Sequence, residues 1–343
     1  MTKIAFELSG EHSVIPGAEV TGALEAEEID FLIHRQFDQL LIIETLKSNI
    51  SLMDVLAKRL SMTWHIIQVL GICDAVLSDI ITMVESVEID HARSLTYRIR
   101  TKKIKRKNQI SSEVLERYIG KIFFDNGYRA DLKDPDVQYR IVLSDGECIF
   151  GKTLGSIERS AFEHRNPSNK PFFYPGVVMP RLARAMVNIA RTKRGSIVLD
   201  PYCGTGGILV EAGLIGAVTL GCDIQKKIIM GGQMNLDYYS VDYSIFLQDA
   251  GNMALRNECV DCIVTDPPYG RSAIIWAQSL DHLMRYSLKE MYRVLRPGGK
   301  AIVVSECYLD KLAVEAGFHV VEVYIQRVHR SLTRRITVLD KVS

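Results

Sequence analysis

The spacing of apolar and polar positions changes about halfway along the 343-residue chain. In the first half, strand-like alternation and helix-like periodicity are mixed, which is typical of α+β structure. From Tyr174 onward, short apolar runs alternate with helix-like segments, as in a parallel doubly wound sheet. The chain is therefore predicted to be an α/β protein, with an α+β amino-terminal region and a Rossmann-like carboxyl-terminal domain.

The carboxyl-terminal domain is predicted to contain a seven-stranded sheet. The expected elements are strands at 196–200, 218–223, 244–248, 262–266 and 300–305, with helices that begin near Gly207, Gln225 and Leu280. Two longer β-like segments, 320–328 and 332–339, fit an antiparallel pair at the sheet edge.

The chain is predicted to divide at three places. Residues 1–45 and 46–145 are each expected to form an α+β unit, and residues 174–343 form the doubly wound domain. In the two front units, the expected elements are strands at 4–8, 38–44 and 95–100 and helices at 18–27, 51–60, 75–86 and from Ser111 to near Gly127. Residues 146–173 are rich in Gly, Ser, Asn and Pro, so we interpret them as a linker.

Composition narrows the class of protein. The net charge is only +1, so any affinity for a polyanion must come from local clusters of charge. No apolar run approaches the ~20 residues of a membrane span, and the amino terminus enters a strand-like pattern without a signal peptide. The seven cysteines are odd in number and scattered, which favours reduced thiols in a cytoplasm. Cys259 and Cys262 have no second Cys or His pair, so no metal site is predicted.

An Asp-Pro-Pro-Tyr-Gly stretch at residues 266–270 directly follows the apolar strand 262–265. Neither proline can donate a backbone N–H and both have a fixed φ, so this lip offers only oxygens. Such a lip suits an exocyclic NH2 group on a planar base, held against the ring of the tyrosine. This is the signature of amino-methyltransferases, and the predicted catalytic residues are Asp266, Pro267, Pro268 and Tyr269.

A glycine-rich turn at residues 200–207 is predicted to bind the cofactor. A dinucleotide site is the competing interpretation, but the third glycine of GxGxxG is missing. Asp200, before the glycines, would also repel a pyrophosphate, whereas it suits the ammonium group of S-adenosylmethionine. In the next two strands, Asp223 is expected to bridge the ribose hydroxyls, with Ile224 on the adenine, and Asp249 to accept from the adenine amino group.

Each of these acids, taken alone, is more readily explained as a helix N-cap or a solvated loop residue. Their position at successive strand ends, together with the lip at the fourth, favours one ligand site at the carboxyl edge of the sheet. The cofactor-binding residues predicted from this pattern are Asp200, Tyr202, Gly204, Thr205, Gly206, Asp223, Ile224, Asp249 and Ala250.

These motifs carry a family resemblance. The carboxyl half resembles the class I S-adenosylmethionine-dependent methyltransferases of the amino-methylating branch. The whole chain resembles the archaeal and eukaryotic tRNA guanine-N2 methyltransferases that act on guanosine at position 10. The segments that carry the resemblance are 6–12, Arg159 with 171–176, 200–207 and 266–270.

The resemblance implies several further properties. Residues 1–45 would form a ferredoxin-like domain and residues 46–145 a THUMP RNA-binding domain. The substrate would be tRNA. Some relatives need a small zinc-binding activator subunit, and the sequence leaves open whether this chain does. Tyr174 and Pro175 would cover the methionine end of the cofactor, although the family pattern has a small polar residue before this proline.

A basic cluster supports an RNA-binding role for the front half. Seven of the ten residues from 98 to 107 are basic and none is acidic, namely Arg98, Arg100, Lys102, Lys103, Lys105, Arg106 and Lys107. A solvated face or protection of an edge strand is the ordinary alternative. We interpret the cluster as a grip on the phosphate backbone, extended by Arg330, Arg334 and Arg335.

Other activities share parts of this pattern. DNA adenine-N6 and cytosine-N4 methyltransferases have the same lip, while tRNA guanosine-6, ribosomal guanine-N2 and protein-glutamine enzymes more often have Asn in place of Asp266. A catalytically idle RNA-binding subunit is the alternative from another class. Aspartate at 266 and the RNA-type front half favour the position-10 enzymes.

Overall fold

The computed structural model describes residues 1–105, 109–268, 280–330 and 332–342. The strands are β1 (Thr2–Leu8), β2 (Phe31–Phe37), β3 (Leu40–Thr45), β4 (Thr63–Asp74), β5 (Thr96–Lys103), β6 (Arg129–Ala130), β7 (Val137–Ser144), β8 (Glu147–Ser156), β9 (Ile197–Asp200), β10 (Val218–Asp223), β11 (Tyr243–Leu247), β12 (Val260–Thr265), β13 (Leu295–Ser305), β14 (His319–His329) and β15 (Leu332–Asp340). The α-helices are α1 (Ile15–Ala26), α2 (Met53–Arg59), α3 (Leu77–Ser86), α4 (Ser112–Asp125), α5 (Ser160–His164), α6 (Pro180–Ile189), α7 (Gly207–Gly213), α8 (Lys226–Tyr238), α9 (Leu280–Val294) and α10 (Asp310–Ala316). None of these helices is both long and apolar enough to cross a membrane.

The chain folds into two compact units that are not simple halves of the sequence. The first unit contains Met1–Ser13, Ile29–Lys58 and Thr63–Ile157. The second contains Val14–Glu28, Arg59–Met62 and Glu158–Ser343. Two short segments from the front of the chain therefore belong to the carboxyl-terminal unit.

The first unit is built on one eight-stranded sheet, in the order β2-β3-β1-β4-β8-β7-β5-β6. Strand β1 pairs with both β3 and β4, so the sheet runs without a break from the predicted 1–45 segment into the 46–145 segment. Helices α3 and α4 pack on one face over an aromatic core that includes Tyr97, Phe123, Tyr139 and Phe150. The further division into ferredoxin-like and THUMP parts stays a prediction.

The predicted linker at 146–173 is wrong for Glu147–Ser156, which form strand β8. Cys148, Ile149 and Phe150 are fully buried in the sheet. The glycine that suggested flexibility has a packing role, because a Cβ on Gly151 would lie 2.2 Å from the backbone oxygen of Gln68 on β4. Glycine here permits close approach of two strands.

The second unit contains a seven-stranded sheet in the order β11-β10-β9-β12-β13-β15-β14, which confirms the predicted Rossmann-like fold. Strands β9 to β13 are parallel, and β15 is antiparallel to both β13 and β14. The strand order reverses between β9 and β12, and ligands bind such sheets at the carboxyl ends beside this reversal.

Both faces of the parallel strands are buried, as the continuous apolar runs predict. On β9, Val198 belongs to the core beneath α6 and α7, while its neighbour Leu199 belongs to the core beneath α9 and α10. On β12, Val264 and Ile263 are divided between the same two cores. The sheet is thus clamped from both sides, and its carboxyl edge is held rigidly.

Helix α1 is tied to the second unit by a buried carboxylate. Glu19 is fully buried and accepts hydrogen bonds from Ser61 N and Oγ (2.8 and 2.6 Å), Met62 N (2.8 Å) and Asn188 Nδ2 (2.9 Å). Gly22 lets α1 lie directly on α6, since a Cβ would be 2.4 Å from the backbone oxygen of Asn188. A fragment that begins at residue 174 would lack α1 and the 59–62 segment, both of which bond to Asn188 of α6.

We predict that Glu19→Gln lowers the free energy of unfolding by ~1–3 kcal/mol, because its amide NH2 would face a backbone or hydroxyl donor and leave that donor unsatisfied. Urea denaturation followed by circular dichroism measures the change. Glu25→Gln on the same helix is the matched control, since Glu25 only pairs with the exposed Arg191. Such a pair is worth at most about 1 kcal/mol, and equal losses in the two variants would show that the buried acceptor has no special role.

Candidate active site

A cavity of about 880 Å³ lies at the carboxyl ends of β9, β10 and β12. Its size is in the ordinary range for a site that holds a drug-sized ligand. The predicted residues that line it are Tyr174, Pro175, Asp200, Tyr202, Gly204, Thr205, Asp223, Ile224, Asp249, Ala250, Asp266, Pro267 and Pro268. Gly206 is not among the lining residues, and Tyr269 lies outside the described residues.

The turn after β9 depends on its glycines. Gly204 and Gly206 have φ values of 51° and 75°, in the left-handed region that favours glycine. The amide of Gly204 donates to Asp223 Oδ2 at 3.2 Å, which joins the turn to the end of β10. Gly206 therefore contributes to the site through the path of the backbone, before α7 begins at Gly207.

Asp200 is the buried acid of the site, with only 1% of its surface exposed. Its Oδ1 accepts from Thr265 Oγ1 at 2.6 Å and from the amide of Tyr202 at 3.1 Å. Within the described residues, no group donates to Oδ2. Burial raises the pKa of Asp200 to about 7, and the negative charges of Asp266 and Asp223 add to the rise. A buried carboxylate of this kind suits a cationic ligand group.

The next two acids serve both their own loops and the cavity. Asp223 accepts from the amides of Gly204 and Gln225, the latter at 2.9 Å, and burial raises the pKa of its carboxyl group. Asp249 Oδ1 accepts from the amide of Gly251 at 2.8 Å. Each carboxylate oxygen has a second lone pair, so Asp223 and Asp249 can hold their own loops and still accept a hydrogen bond from a ligand in the cavity.

The acceptor lip follows β12. Asp266 has only 12% of its side chain exposed, and its Oδ2 lies 4.0 Å from Nη2 of Arg334. Thr265, directly before it, is the residue that donates to Asp200. The lip and the cofactor turn are therefore linked by one hydrogen bond across the centre of the sheet.

The structure adds residues that the sequence did not indicate. His282, Leu283 and Tyr286 on α9 line the cavity, and the rings of His282 and Tyr286 are 4.5 Å apart. The helix is held there by a 2.5 Å hydrogen bond between Tyr202 and Ser287. The i, i+4 spacing of two rings on a helix that follows the lip was the available signal.

A second missed residue, Asn235, fixes the segment that carries Tyr174. Its side chain bonds both the amide and the carbonyl of Phe172 (2.9 and 3.0 Å) and the carbonyl of Thr205 (3.0 Å). The ring of Phe172 fits over Gly231, where a Cβ would lie 2.1 Å from it. Two adjacent glycines within a predicted helix were the sequence signal for this close approach.

Arg334 was interpreted as part of an exposed RNA-binding surface, and the exposed position is wrong. The residue is 7% exposed and lines the cavity. On β15 it continues the row of Ile336 and Val338, which are buried in the core beneath α6 and α7. Alternation along a strand therefore directs Arg334 inward rather than to solvent.

The predicted RNA-binding residues lie on and after β5 in the first unit, except Arg106 and Lys107, which are outside the described residues. Several have protein partners: Arg98 donates to Gln138, Arg100 lies 3.5 Å from Glu116, Lys103 donates to the carbonyl of Ile110, and Lys105 pairs with Asp38.

Some of these cations also act on a half-buried histidine of the same sheet. The pKa of His65, on β4, is lowered to about 3, first by burial and then by the charges of Arg140, Arg98 and Lys102.

Known proteins are similar to this chain in sequence and in fold. Residues 167–336 match the family described as the RMKL-like methyltransferase domain. The tRNA (guanine(10)-N2)-dimethyltransferase of Methanothermobacter thermautotrophicus is 36% identical over 338 residues, which cover 98% of each chain. The chain belongs to the tRNA (guanine(10)-N2)-dimethyltransferase family.

Two further comparisons agree. The family member from Methanocaldococcus jannaschii is 34% identical over 77% of this chain and 75% of its own length. The solved structure of TrmN from Thermus thermophilus has a TM-score of 0.56 at 18% identity, with 99% of this chain and 100% of that chain covered, which shows the shared fold. The protein is thus a methyltransferase whose methyl donor is S-adenosylmethionine.

The cavity fits this donor. Oδ2 of Asp200 would hold the ammonium group, Asp223 the ribose hydroxyls and Asp249 the adenine amino group, while Ile224, 47% exposed, offers an apolar surface for the base. When bound, S-adenosylmethionine supplies a methyl group activated by the adjacent sulfonium.

We predict that cofactor affinity falls as pH is lowered from about 7.5 to about 5.5, by up to ~10-fold per pH unit below the pKa of Asp200. The ligand α-amino group, with a pKa of about 7.7–8.0, is mostly protonated at about pH 7.5 and becomes fully protonated at lower pH, so it does not cause this fall. The pKa of Asp200 is raised to about 7 in the folded chain. This group therefore stabilises the ligand-free folded state at low pH, and that stabilisation is lost as pH rises through about 7.

Calorimetry in two buffers of different ionisation enthalpy measures the protons released on binding near pH 7. Asp200→Asn should bind weakly and without proton release, whereas the exposed Asp242→Asn should behave as the parent chain. Proton release that persists in Asp200→Asn would assign the linkage to another group.

Proposed function

We propose that this chain transfers methyl groups to the exocyclic N2 of the guanosine at position 10 of tRNA. The observation that carries the proposal is the lip of Asp266 and Pro267, which borders the same cavity as the cofactor turn. The archaeal relatives are named for this reaction and for dimethylation, so the proposal includes two successive transfers to one N2.

The lip would act by placing acceptors beside a poor nucleophile. The lone pair of guanine N2 is delocalised into the ring. The Asp266 carboxylate and the Pro267 carbonyl would accept hydrogen bonds from the two N2 hydrogens and favour a pyramidal nitrogen. Position and electrostatics are the contributions expected of the protein. Asp266 would also lie on the path by which the released proton leaves N2 for water.

The target base must leave its stack to reach this cavity. Tyr269 is predicted from the sequence to stack on it, a contact worth ~1–3 kcal/mol. His282 and Tyr286 on α9 present further rings to the same cavity. An aromatic surface accepts any base, so the acceptor lip would provide the preference for an exocyclic amine.

The first unit is proposed to grip tRNA as a folded shape, in a THUMP-like manner. Phosphate contacts position a nucleic acid without reading its sequence. The gathering of Arg98, Arg100 and Lys102 on β5 supports this role. A tRNA substrate agrees with the cytoplasmic location that the sequence predicts.

We also propose that the small activator subunit docks at β11, the edge of the second-unit sheet. Phe246 and Leu247 on this strand are 45% and 59% exposed. Met230, Met234 and Tyr238 follow at four-residue spacing on α8 and are also exposed. An open strand edge beside an apolar helix face suits a partner that adds a strand.

Met234→Glu should abolish activation by such a subunit without weakening cofactor binding, and retained activation would exclude this site.

Mass spectrometry of nucleosides from unmodified tRNA incubated with enzyme and labelled cofactor tests the reaction itself. N2-methylguanosine and N2,N2-dimethylguanosine are expected, and they should vanish with a tRNA that has adenosine at position 10. Label in adenosine, or in DNA alone, would favour the adenine-N6 alternative. No label in any substrate would favour an idle RNA-binding subunit.

We predict that Asp266→Ala slows single-turnover methyl transfer by ~10²-fold or more, by analogy with the loss of one preorganised transition-state contact. Cofactor and tRNA affinities should change little, as measured by calorimetry and filter binding. Asp266→Asn, which keeps one acceptor oxygen, should be less impaired. Tyr269→Phe should be milder than Tyr269→Ala if the ring only stacks. A near-normal rate for Asp266→Ala would show that the Asp266 carboxylate is not the required acceptor.

We predict that Lys102→Glu combined with Lys105→Glu weakens tRNA binding and reduces its salt dependence, because each lost phosphate contact lowers the slope by about 1. Lys103 is left unchanged because it donates to the carbonyl of Ile110. Lys105 pairs with Asp38, so Lys102→Glu alone is also measured, to separate the loss of that ion pair from the loss of a phosphate contact. Lys121→Glu, an exposed change on α4, is the control. Cofactor affinity should be unchanged in all variants. If the salt dependence of tRNA affinity is unaltered in the double variant, the basic cluster does not contact phosphates and is only a solvated face.

A further inference from the structure

Arg334 is a buried cation at the edge of the cavity. It is 7% exposed, and its Nη2 lies 4.0 Å from Oδ2 of Asp266. Arginine is almost never fully buried without a partner, because removing its charge from water is costly. The position of this guanidinium beside the acceptor carboxylate therefore requires a physical reason.

The sheet determines which carboxylate Arg334 can reach. Strand β15 is held between β13 and β14, with Arg335 opposite Ser305 and Arg334 opposite Gln326. The lip follows β12, which lies two strands away in the order β12-β13-β15. Two strand spacings are roughly 10 Å. Among the basic side chains, arginine combines that reach with a planar fork that matches a carboxylate.

We propose that Arg334 is a positioning residue for Asp266, whose carboxylate it holds and orients toward the N2 group of the target guanine. This inference rests on the proposed function. An opposite charge at this distance favours the ionised form of a carboxylate. A held carboxylate also loses less freedom when the base arrives, which is the advantage of preorganisation in catalysis.

A direct contact between Arg334 and tRNA is the rival explanation, since arginine also binds phosphate and guanine edges. The two explanations differ in how Arg334 and Asp266 couple. If Arg334 acts through Asp266, its removal matters only while Asp266 carries a charge. If it binds tRNA itself, its removal weakens tRNA binding whatever residue stands at 266.

A double-mutant cycle separates these cases, because interaction between two residues appears as non-additivity. The variants are Arg334→Met, Asp266→Asn and their combination. Methionine keeps an apolar stem in the buried position, and Arg334→Lys tests rescue by a retained charge. Arg327→Met, an exposed arginine on the neighbouring β14, is the control. Thermal melting and cofactor calorimetry show that each variant is folded.

The single-turnover rate constant with saturating cofactor and tRNA is the main readout. Arg334→Met should lower it by ~10-fold or more, on the scale of one catalytic contact. Arg334→Lys should recover part of the loss, and the tRNA dissociation constant should be unchanged. In the Asp266→Asn background, Arg334→Met should have little further effect. Arg327→Met should match the parent chain.

Full additivity of the two changes, or a loss confined to tRNA affinity, would overturn the inference. If Arg334→Met does not fold, the same cycle with Arg334→Lys decides between coupling and additivity. Failure of the proposed function is seen separately, since the parent chain would then form no methylated guanosine at position 10. Normal product from the parent with additive variants would refute the role of Arg334 alone.

Discussion

The hydrogen bond from Thr265 to Asp200 is the interaction on which the site depends. It joins the ends of β9 and β12, where the strand order reverses, at 2.6 Å and out of contact with water. A buried carboxylate is costly unless it is hydrogen-bonded, and here the bonds it accepts also fix the geometry of both loops. The amide of Tyr202 holds the cofactor turn to the same oxygen. Asp266 follows Thr265 directly, so this buried contact, together with the pairing of β9 and β12, fixes the distance between the cofactor turn and the acceptor lip.

The same use of a buried carboxylate recurs where the front of the chain joins the second unit. Glu19 accepts from residues that are 42, 43 and 169 positions away along the chain. These donors belong to the returning segment Arg59–Met62 and to α6, which packs beneath the central strands. The second unit, which contains the cavity, is therefore completed by residues that come before most of the first unit in the sequence. This explains why the unit cannot be delimited as residues 174–343, although every motif of the site lies in that range.

Local patterns predicted the sheet and most of the cavity. The apolar runs that end in Asp200, Asp223 and Asp266 can be recognised from local sequence, because each strand and its terminal acid are contiguous. Contacts between distant segments were not readable in the same way. Asn235 looks like an ordinary polar residue of a helix until its bonds to Phe172 and Thr205 are seen. The strand β8 was missed for the opposite reason, since local composition suggested flexibility where glycine serves close packing.

Arg334 shows the limit of charge patterning most clearly. A cluster of basic residues near the carboxyl end suggested an exposed surface, yet alternation along β15 sends one of them into the cavity. That single cation changes the electrostatics of the site. Asp200, Asp223 and Asp249 remain a group of acids around the cofactor turn, whereas Asp266 has a guanidinium beside it. The methyl donor carries a sulfonium charge that is lost on transfer, so acids in a site of low dielectric would hold the donor more strongly than its product. The guanine of the proposed substrate is neutral, and it would meet a carboxylate that has the guanidinium of Arg334 beside it. On this proposal, the two halves of the cavity present different fields to two chemically different substrates.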